Sequence, residues 1–528
     1  MRSLFPAVLL AAALVASACT ESTTPSAEGR SDGSSIVVAD AQEPSTLNPL
    51  LGYGERGASK IYEGLVEHGA DRSLRPELAS ELPKPSPDGL TWTVKLRDAV
   101  KFTDATTFGA EDVVATYRAL LDPAAGSTER ASFAMLSGVQ QLDANTVRFT
   151  LSQPYAAFPH LLVLGILPSE ALARGGALKD NPIDKTPIGT GPYRLTDWRK
   201  GDRMVLEANT GHSGGTPAIK KLTVVFVPDD NSRAQRMQSG EFDGTTLPPR
   251  LATVFASTSG MKVISHRSAD FRAISLPTAN PVTGDRSMRL ALNLAVNRAG
   301  MVSGLLAGKA VAASTPIPDV LPEFVEPGAE FRYDKIEAER QLDLGGWVKG
   351  VDGMRSKGGT PARFTLMYPV GDAMRSDLAT AFAAEARVVG VDVQLAGLSW
   401  TAITPRYGQD AVIYGDGNPF DPDLTAWPAL HSTSTPSGFD NPGGYVNPQV
   451  DAALDAGRTL TDPAQRAAAY RQFQRAYLAE PGAVFLAFLD HTYVVRDNWN
   501  GYQEVVDPHS VGALAWGPWW NLEKWTPK

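Results

Sequence analysis

The stretch FTLMYPVGDAMRSDLATAFAAEARVVGVDVQL, residues 364–395, decides the fold class of this chain. Its first segment, Phe364–Tyr368, has the apolar and aromatic residues of a strand. A helical pattern follows over Leu378–Val389, and Val391–Leu395 has the pattern of a second strand. Strands that alternate with helices are typical of folds in which helices pack on β-sheets. The stretch therefore predicts a mixed α/β fold.

The same alternation of strands and helices continues along the whole chain. Further strands are predicted at 36–39, 90–96, 146–151, 222–227 and 484–489, and further helices at 111–121, 286–297 and 464–479. The part from Ile36 to Lys528 is too long for one small core. We therefore expect two α/β lobes, each with its own sheet.

The amino end has the features of an export signal. Arg2 supplies a positive start, and the apolar run Leu4–Ala16 is too short to span a bilayer, which takes about 20 residues. Cys19 follows three small residues, as in a bacterial lipobox, and is the only cysteine of the chain. We predict a signal peptide at 1–18, a lipid on Cys19 and a flexible polar tether over 19–35. An ordinary signal peptide with a chance cysteine is the alternative.

Composition argues against several classes of function. The net charge of -9 predicts no nucleic-acid partner. The seven histidines are scattered without metal-ligand spacing, and no His-Glu-x-x-His pattern or phosphate loop is present. We therefore predict a protein that is not an enzyme and that uses no cofactor or metal.

Several runs of residues, in one order, resemble a known family, the ABC-transporter solute-binding proteins of family 5, which bind dipeptides, oligopeptides or nickel. The matching runs are Glu43–Pro49, Asp88–Arg97, Lys101–Asp104, Phe108–Val114, Pro187–Tyr193, Asp229–Asp243, Arg289–Arg298, Gly415–Asp416 and Asp421–Asp423. The resemblance covers nearly all of the chain after the export signal. It implies an extracytoplasmic lipoprotein, expected to be monomeric, that delivers a short peptide to ABC permease subunits.

The resemblance also implies an architecture. The expected fold is the two-lobed periplasmic-binding-protein-like fold of type II, cluster C, with an extra subdomain in the first lobe. The expected bounds are 36–66, 185–273 and 491–528 for lobe I, 67–184 for the extra subdomain and 274–490 for lobe II. Such lobes close on a ligand by a hinge motion.

Asp416 is the main candidate for ligand binding. In peptide-binding relatives an aspartate in the matching motif pairs with the α-ammonium of the ligand, and a carboxylate suits that role chemically. Its neighbours Tyr414, Gly415 and Gly417 are expected to border the ligand, as are Gly52, Tyr53, Trp400 and Trp427. For Asp416 the alternative is a role in capping a turn, for Gly52 and Tyr53 it is a plain surface turn, and for either tryptophan it is core packing.

One departure from the family pattern concerns the ligand carboxylate. Some dipeptide binders have an arginine directly after the strand near Tyr368, whereas this chain has Pro369–Asp372 there and Arg375 slightly later. A longer peptide is therefore as suitable a ligand as a dipeptide. A nickel chelate, for which His431 is a candidate contact, and a role in the cell envelope without transport remain alternatives.

Overall fold

A computed structural model describes residues 33–434, 440–509 and 514–528 of the chain. The predicted signal peptide, Cys19 and residues 20–32 of the predicted tether lie outside the described residues. Within the described ranges, no helix is both long enough and apolar enough to cross a membrane.

The first lobe is built on a sheet of seven strands. Their order across the sheet is Met261–His266, His491–Arg496, Gly244–Thr246, Ser35–Asp40, Lys221–Phe226, Arg203–Ala208 and Tyr193–Arg199. The central strand Ser35–Asp40 runs parallel to both of its neighbours. Its residues Ile36 and Val38 lie in one hydrophobic core, and Val37 and Ala39, on the opposite face, pack in a second cluster.

The second lobe contains a sheet of six strands. Their order is Ala310–Ala312, Ala483–Leu489, Phe271–Ser275, Ala411–Asp416, Arg363–Pro369 and Asp392–Leu398. The last three strands are parallel to one another, so their carboxyl ends meet at one edge, which we call the carboxyl edge. Ligands of open α/β sheets usually bind outside such an edge.

The extra subdomain of the first lobe has its own sheet of four strands. Their order is Lys84–Pro85, Thr91–Lys95, Thr146–Leu151 and Leu136–Asp143. The helix Ala110–Leu121 packs on this sheet, and its first turn carries Glu111 and Asp112, whose charges suit a helix N-terminus. The buried residues of the subdomain continue into the core of the seven-stranded sheet, so both share one hydrophobic core.

Helices and short strands complete the described part of the chain. The other helices are Phe158–Leu161, Ser169–Leu172, Asp230–Gln238, Pro249–Ala252, Arg286–Ala295, Arg298–Gly304, Lys335–Leu344, Ala373–Val388, Trp400–Ile403, Asp423–Leu430, Pro448–Thr459 and Pro463–Ala479. The short strands are Val66–His68 with Leu74–Pro76, Trp499–Asn500 with Thr526–Pro527, and a set of three at Val348–Lys349, Arg355–Lys357 and Thr360–Pro361.

The chain passes between the two sheets at two adjacent places. One passage is the segment 267–270, and the other is Asp490, between two strands that belong to different sheets. Phe271 pairs with Asp416 and Phe488 in the second sheet. The predicted lobe boundary at 273/274 is therefore corrected to 267–270, because Phe271 already belongs to the second lobe.

Candidate ligand-binding site

Three side chains lie at the carboxyl edge of the second lobe. Asp416 is the last residue of its strand, and Trp400 follows the end of another. Arg375 lies in the first turn of the helix that follows the third strand, capped by the Asp372 side chain. The guanidinium carbon of Arg375 is 5.9 Å from the centre of the Trp400 ring. The edge thus brings together two predicted site residues and one arginine.

Asp416 is bound by an arginine of the first lobe. Arg56 Nη2 donates a hydrogen bond to Asp416 Oδ1, and Nη1 donates one to the carbonyl oxygen of Gly417, each at 2.8 Å. The two side chains are only 19% and 20% exposed. Burial alone would lower the pKa of Arg56, but the charges of Asp416 and Glu55 outweigh it and raise that pKa. Asp416 therefore lies at a contact between the lobes and already holds a cation.

Gly415 and Gly417 are required by packing within the protein. A Cβ on Gly415 would lie 2.4 Å from Nη1 of Arg272. A Cβ on Gly417, whose φ is 154°, would lie 1.8 Å from the carbonyl oxygen of Ala269. Gly415 therefore makes room for the Arg272 side chain, and Gly417 lets the crossover segment approach the end of the strand next to Asp416.

Tyr414 is located inside the second lobe. Its side chain is 1% exposed, and its ring meets the Phe271 ring edge to face at 5.5 Å. The expectation that Tyr414 borders a ligand is corrected here, because its strand is buried on both faces rather than on one. A central strand of this kind does not expose alternate side chains.

Gly52 and Tyr53 belong to a cavity in the wall of the first lobe. The cavity has a volume of about 200 Å³ and is lined by residues 42–46, 51–57, 59, 515 and 516. Burial raises the pKa of Tyr53 to about 12, so its hydroxyl stays protonated. Arg56 lines the same cavity, and it therefore connects this wall with Asp416.

Trp427 belongs to a different group of contacts. The guanidinium carbon of Arg458 lies 3.8 Å above the Trp427 ring, and His431 stacks on the same ring at 4.5 Å. His431 Nε2 is 3.2 Å from an Asp455 oxygen. None of the described contacts joins Trp427 to Asp416, and packing within the lobe accounts for its position.

A cluster of charged residues lies directly behind the carboxyl edge, and Asp270 is at its centre. His491 Nε2 lies 3.1 Å and His509 Nδ1 2.6 Å from the Asp270 oxygens, and Arg272 donates a further hydrogen bond. Burial would raise the pKa of Asp270, but the charge of Arg272 and the contacts with the two histidines hold that pKa well below its usual value. Burial, together with the charge of Arg272, lowers the pKa of Arg375.

Arg56, Asp270 and Arg272 are not among the residues predicted from the sequence to form the site. Arg272 had a detectable signal, because a charged residue within the buried strand Phe271–Ser275 is unusual and needs a partner. Arg56 had only a weak signal, its position in the glycine-rich run after Tyr53.

The run Gly211–Gly215 has the Gly-x-Ser-x-Gly spacing that occurs at the nucleophile of serine hydrolases, although no enzyme is predicted from the sequence. That chemistry requires a sharp turn from a strand into a helix. Here the run itself contains turns, a loop leads from it to the strand Lys221–Phe226, and His212 Nε2 lies 3.0 Å from Glu63. The run is a loop without the geometry of such a nucleophile.

Other candidate sites have less support. A larger cavity, about 660 Å³, lies along the edge strand Tyr193–Arg199, and none of the predicted ligand-binding residues lines it. In the part of the chain that the structure describes, no group of three or more His, Cys, Asp or Glu side chains could hold a metal ion.

Comparison with known proteins identifies the family of this chain. Residues 73–437 match the model of the bacterial extracellular solute-binding proteins, family 5. The chain is 42% identical to Protein XP55 of Streptomyces lividans over 98% of this chain and 95% of that protein. It is 25% identical to the oligopeptide-binding protein AppA of Bacillus subtilis over 98% and 97%.

A solved structure shares the fold. NikZ from Campylobacter jejuni, in complex with Ni(L-His), superposes with a TM-score of 0.85 at 27% identity, over 94% of this chain and 99% of that one. The predicted two-lobed α/β fold is thereby confirmed. Family 5 proteins bind solutes outside the cytoplasm and are not enzymes, so the prediction of a binding protein is also confirmed. This chain belongs to the bacterial extracellular solute-binding proteins of family 5.

Proposed function

We propose that this chain captures short peptides in the crevice between its lobes and delivers them to the permease of an ABC importer. The observation that carries the proposal is the position of Asp416, a partly buried carboxylate at the carboxyl edge where the first lobe meets the second. A carboxylate that is shielded from water is a strong acceptor for the α-ammonium of a peptide.

The ligand carboxylate has two arginines available. Within the described part of the chain, the Nε atoms of Arg272 and Arg375 are buried and have no hydrogen-bond partner. A buried donor without a partner is unfavourable, so a carboxylate that accepts from both would stabilise them. Arg375 thus supplies a cation shortly after the strand near Tyr368, the strand that some dipeptide binders of the family follow directly with an arginine. Tyr53 and Trp400 offer aromatic surface for the side chains of the ligand.

The ligands named for two relatives indicate which classes of ligand suit the crevice. AppA is an oligopeptide-binding protein, which supports a peptide as the ligand. NikZ was solved with Ni(L-His), a chelate whose ligand carries a carboxylate. A nickel chelate is therefore the second candidate, since Arg272 and Arg375 suit its anionic groups equally well.

The test compares peptides with and without a free ammonium. Asp416→Ala should weaken binding of a free-amino tripeptide by roughly 10- to 100-fold more than that of its N-acetylated form, as measured by calorimetry. Asp352→Ala, which removes an exposed carboxylate of the second lobe, is the matched control. Equal losses for both peptides would remove Asp416 from the ammonium role. Titration with Ni²⁺, with and without L-histidine, tests the second candidate.

We propose further that Cys19 carries the lipid that holds the protein at the membrane, with residues 20–35 as its spacer. Cys19→Ser should move the protein from the membrane fraction to the medium and abolish labelling with an alkyne fatty acid. Labelling that persists in the variant contradicts this anchor. Loss of peptide uptake in cells without the gene separates transport from a role in the envelope alone.

A further inference from the structure

Arg56 stands at the position that a ligand ammonium would need. Its guanidinium comes from the first lobe and binds the Oδ1 atom of Asp416 in the second lobe, as well as the carbonyl oxygen of Gly417. A second cation that approaches Asp416 therefore meets a carboxylate whose charge is already neutralised. Two cations at one carboxylate repel each other.

The position of Arg56 is fixed by local structure and not by a loose surface contact. A tight turn closes its loop, with the amide of Gly57 donating to the carbonyl oxygen of Gly54 at 2.9 Å. The cavity in the first-lobe wall opens beside this loop. Arg56 is thus presented to the second lobe from the same wall that a ligand would contact.

Arg56 also has acceptors that remain when it leaves Asp416. The Oε1 atom of Glu55 lies 3.3 Å from its Nε, and the carbonyl oxygen of Gly417 accepts from Nη1. Release of Oδ1 therefore leaves the guanidinium paired with Glu55 and bonded to Gly417. Such a charge can be displaced by another cation without becoming an unpaired buried ion, which would be strongly unfavourable.

We propose that Arg56 is a displaceable internal counter-ion that sets the specificity of the crevice for the amino end of its ligand. The inference rests on the proposed function, because it requires Asp416 to receive the ammonium. A peptide with a free ammonium competes with Arg56 for Asp416, whereas an N-blocked peptide leaves the bridge between the lobes intact. The protein therefore prefers free-amino over N-blocked peptides less strongly than a crevice with Asp416 but without Arg56 would.

Arg56→Gln tests the idea, because glutamine keeps a side-chain N–H donor, on a shorter side chain, but removes the charge. The matched control is Arg250→Gln, since Arg250 also joins the lobes, through a hydrogen bond to the carbonyl oxygen of Gly304 at 2.8 Å. For each variant, calorimetry gives the ratio of the dissociation constants of a free-amino tripeptide and its N-acetylated form. Weaker contact between the lobes would change both dissociation constants by the same factor, so it would not change their ratio.

We expect Arg56→Gln to shift this ratio roughly tenfold in favour of the free-amino peptide, and Arg250→Gln to leave it unchanged. If Asp416→Ala alters the ratio but Arg56→Gln does not, or shifts it the other way, the role of Arg56 is overturned while the proposed function stands. If neither variant alters the ratio, both are overturned. Circular dichroism confirms that each variant is folded.

Discussion

His491 makes the stability of the junction between the lobes dependent on pH. It follows the second passage between the sheets, and its ring lies between two buried carboxylates, 3.1 Å from Asp270 and 3.2 Å from Asp507. Burial would lower the pKa of His491, but both carboxylates accept from the protonated ring and raise it to about 9. The imidazolium is therefore the stable form in the folded protein at neutral pH.

The sign and size of the effect follow from linkage. In the unfolded chain the pKa of His491 is 6.5, and in the folded protein it is about 9. The stabilisation is complete below pH 6.5, declines between pH 6.5 and 9, and is lost above that range. Since a tenfold change in proton affinity corresponds to 1.4 kcal/mol, the full contribution is about 3 kcal/mol.

Urea unfolding between pH 6 and 9.5 measures this contribution. Other ionisable groups pack against the contact, namely Arg272, His266, His509 and Tyr493, and comparison with His491→Gln at each pH isolates the part due to His491. Burial lowers the pKa of His509 below 6.5 and raises that of Tyr493 well above 10, so both pKa values lie outside the interval from pH 6.5 to 9 in which the contribution of His491 declines. Because the variant could be too unstable to study, NMR titration of labelled histidines is the second measurement. A His491 pKa at or below 6.5 in the folded protein would refute the reasoning.

Two further substitutions test contacts around the crevice. Tyr155→Phe removes a 2.9 Å hydrogen bond from the extra subdomain to Asp423 of the second lobe. Fluorescence energy transfer between labelled lobes should then show longer distances between them. An unchanged distribution of distances would contradict a role of this bond in closure. Gly417→Ala forces a Cβ against the carbonyl oxygen of Ala269 and should lower the free energy of unfolding by about 2–4 kcal/mol in urea. In Gly138→Ala, the control, the new Cβ meets nothing within 4 Å, and an equal loss there would show that the close contact is unimportant.

Most of the fold could be predicted because its signals are local. The alternation of apolar and polar residues gave the strand Thr146–Leu151 with its observed bounds. The helix predicted from Leu378 begins at Ala373, because its first turn is polar and is recognised only by the capping of Asp372 onto the amide of Arg375. Periodicity identifies an element better than it identifies the element's start.

The site could be predicted only in part because its contacts are distant in sequence. Arg56 and Asp416 are 360 residues apart, and nothing in the run around either residue indicates the other. Tyr414 was predicted to border the ligand because it is close to Asp416 in the sequence. A strand that is buried on both faces puts such a neighbour in the core, and only the position of the strand within the sheet reveals this.

The balance of charge in the crevice indicates what kind of ligand fits it. Asp416 is paired with Arg56, and Asp270 is paired with Arg272 and two histidines, so each buried carboxylate already has a cation. A ligand with only an ammonium would exchange with Arg56 at Asp416 but leave the Nε donors of Arg272 and Arg375 without an acceptor, and a ligand with only a carboxylate would bind those donors but make no ion pair with Asp416. A ligand with both an ammonium and a carboxylate lets Asp416 exchange Arg56 for the ammonium, while Arg272 and Arg375 gain an acceptor. Affinity then depends on an exchange of ion pairs, and we expect zwitterionic ligands to bind more tightly than their singly charged derivatives.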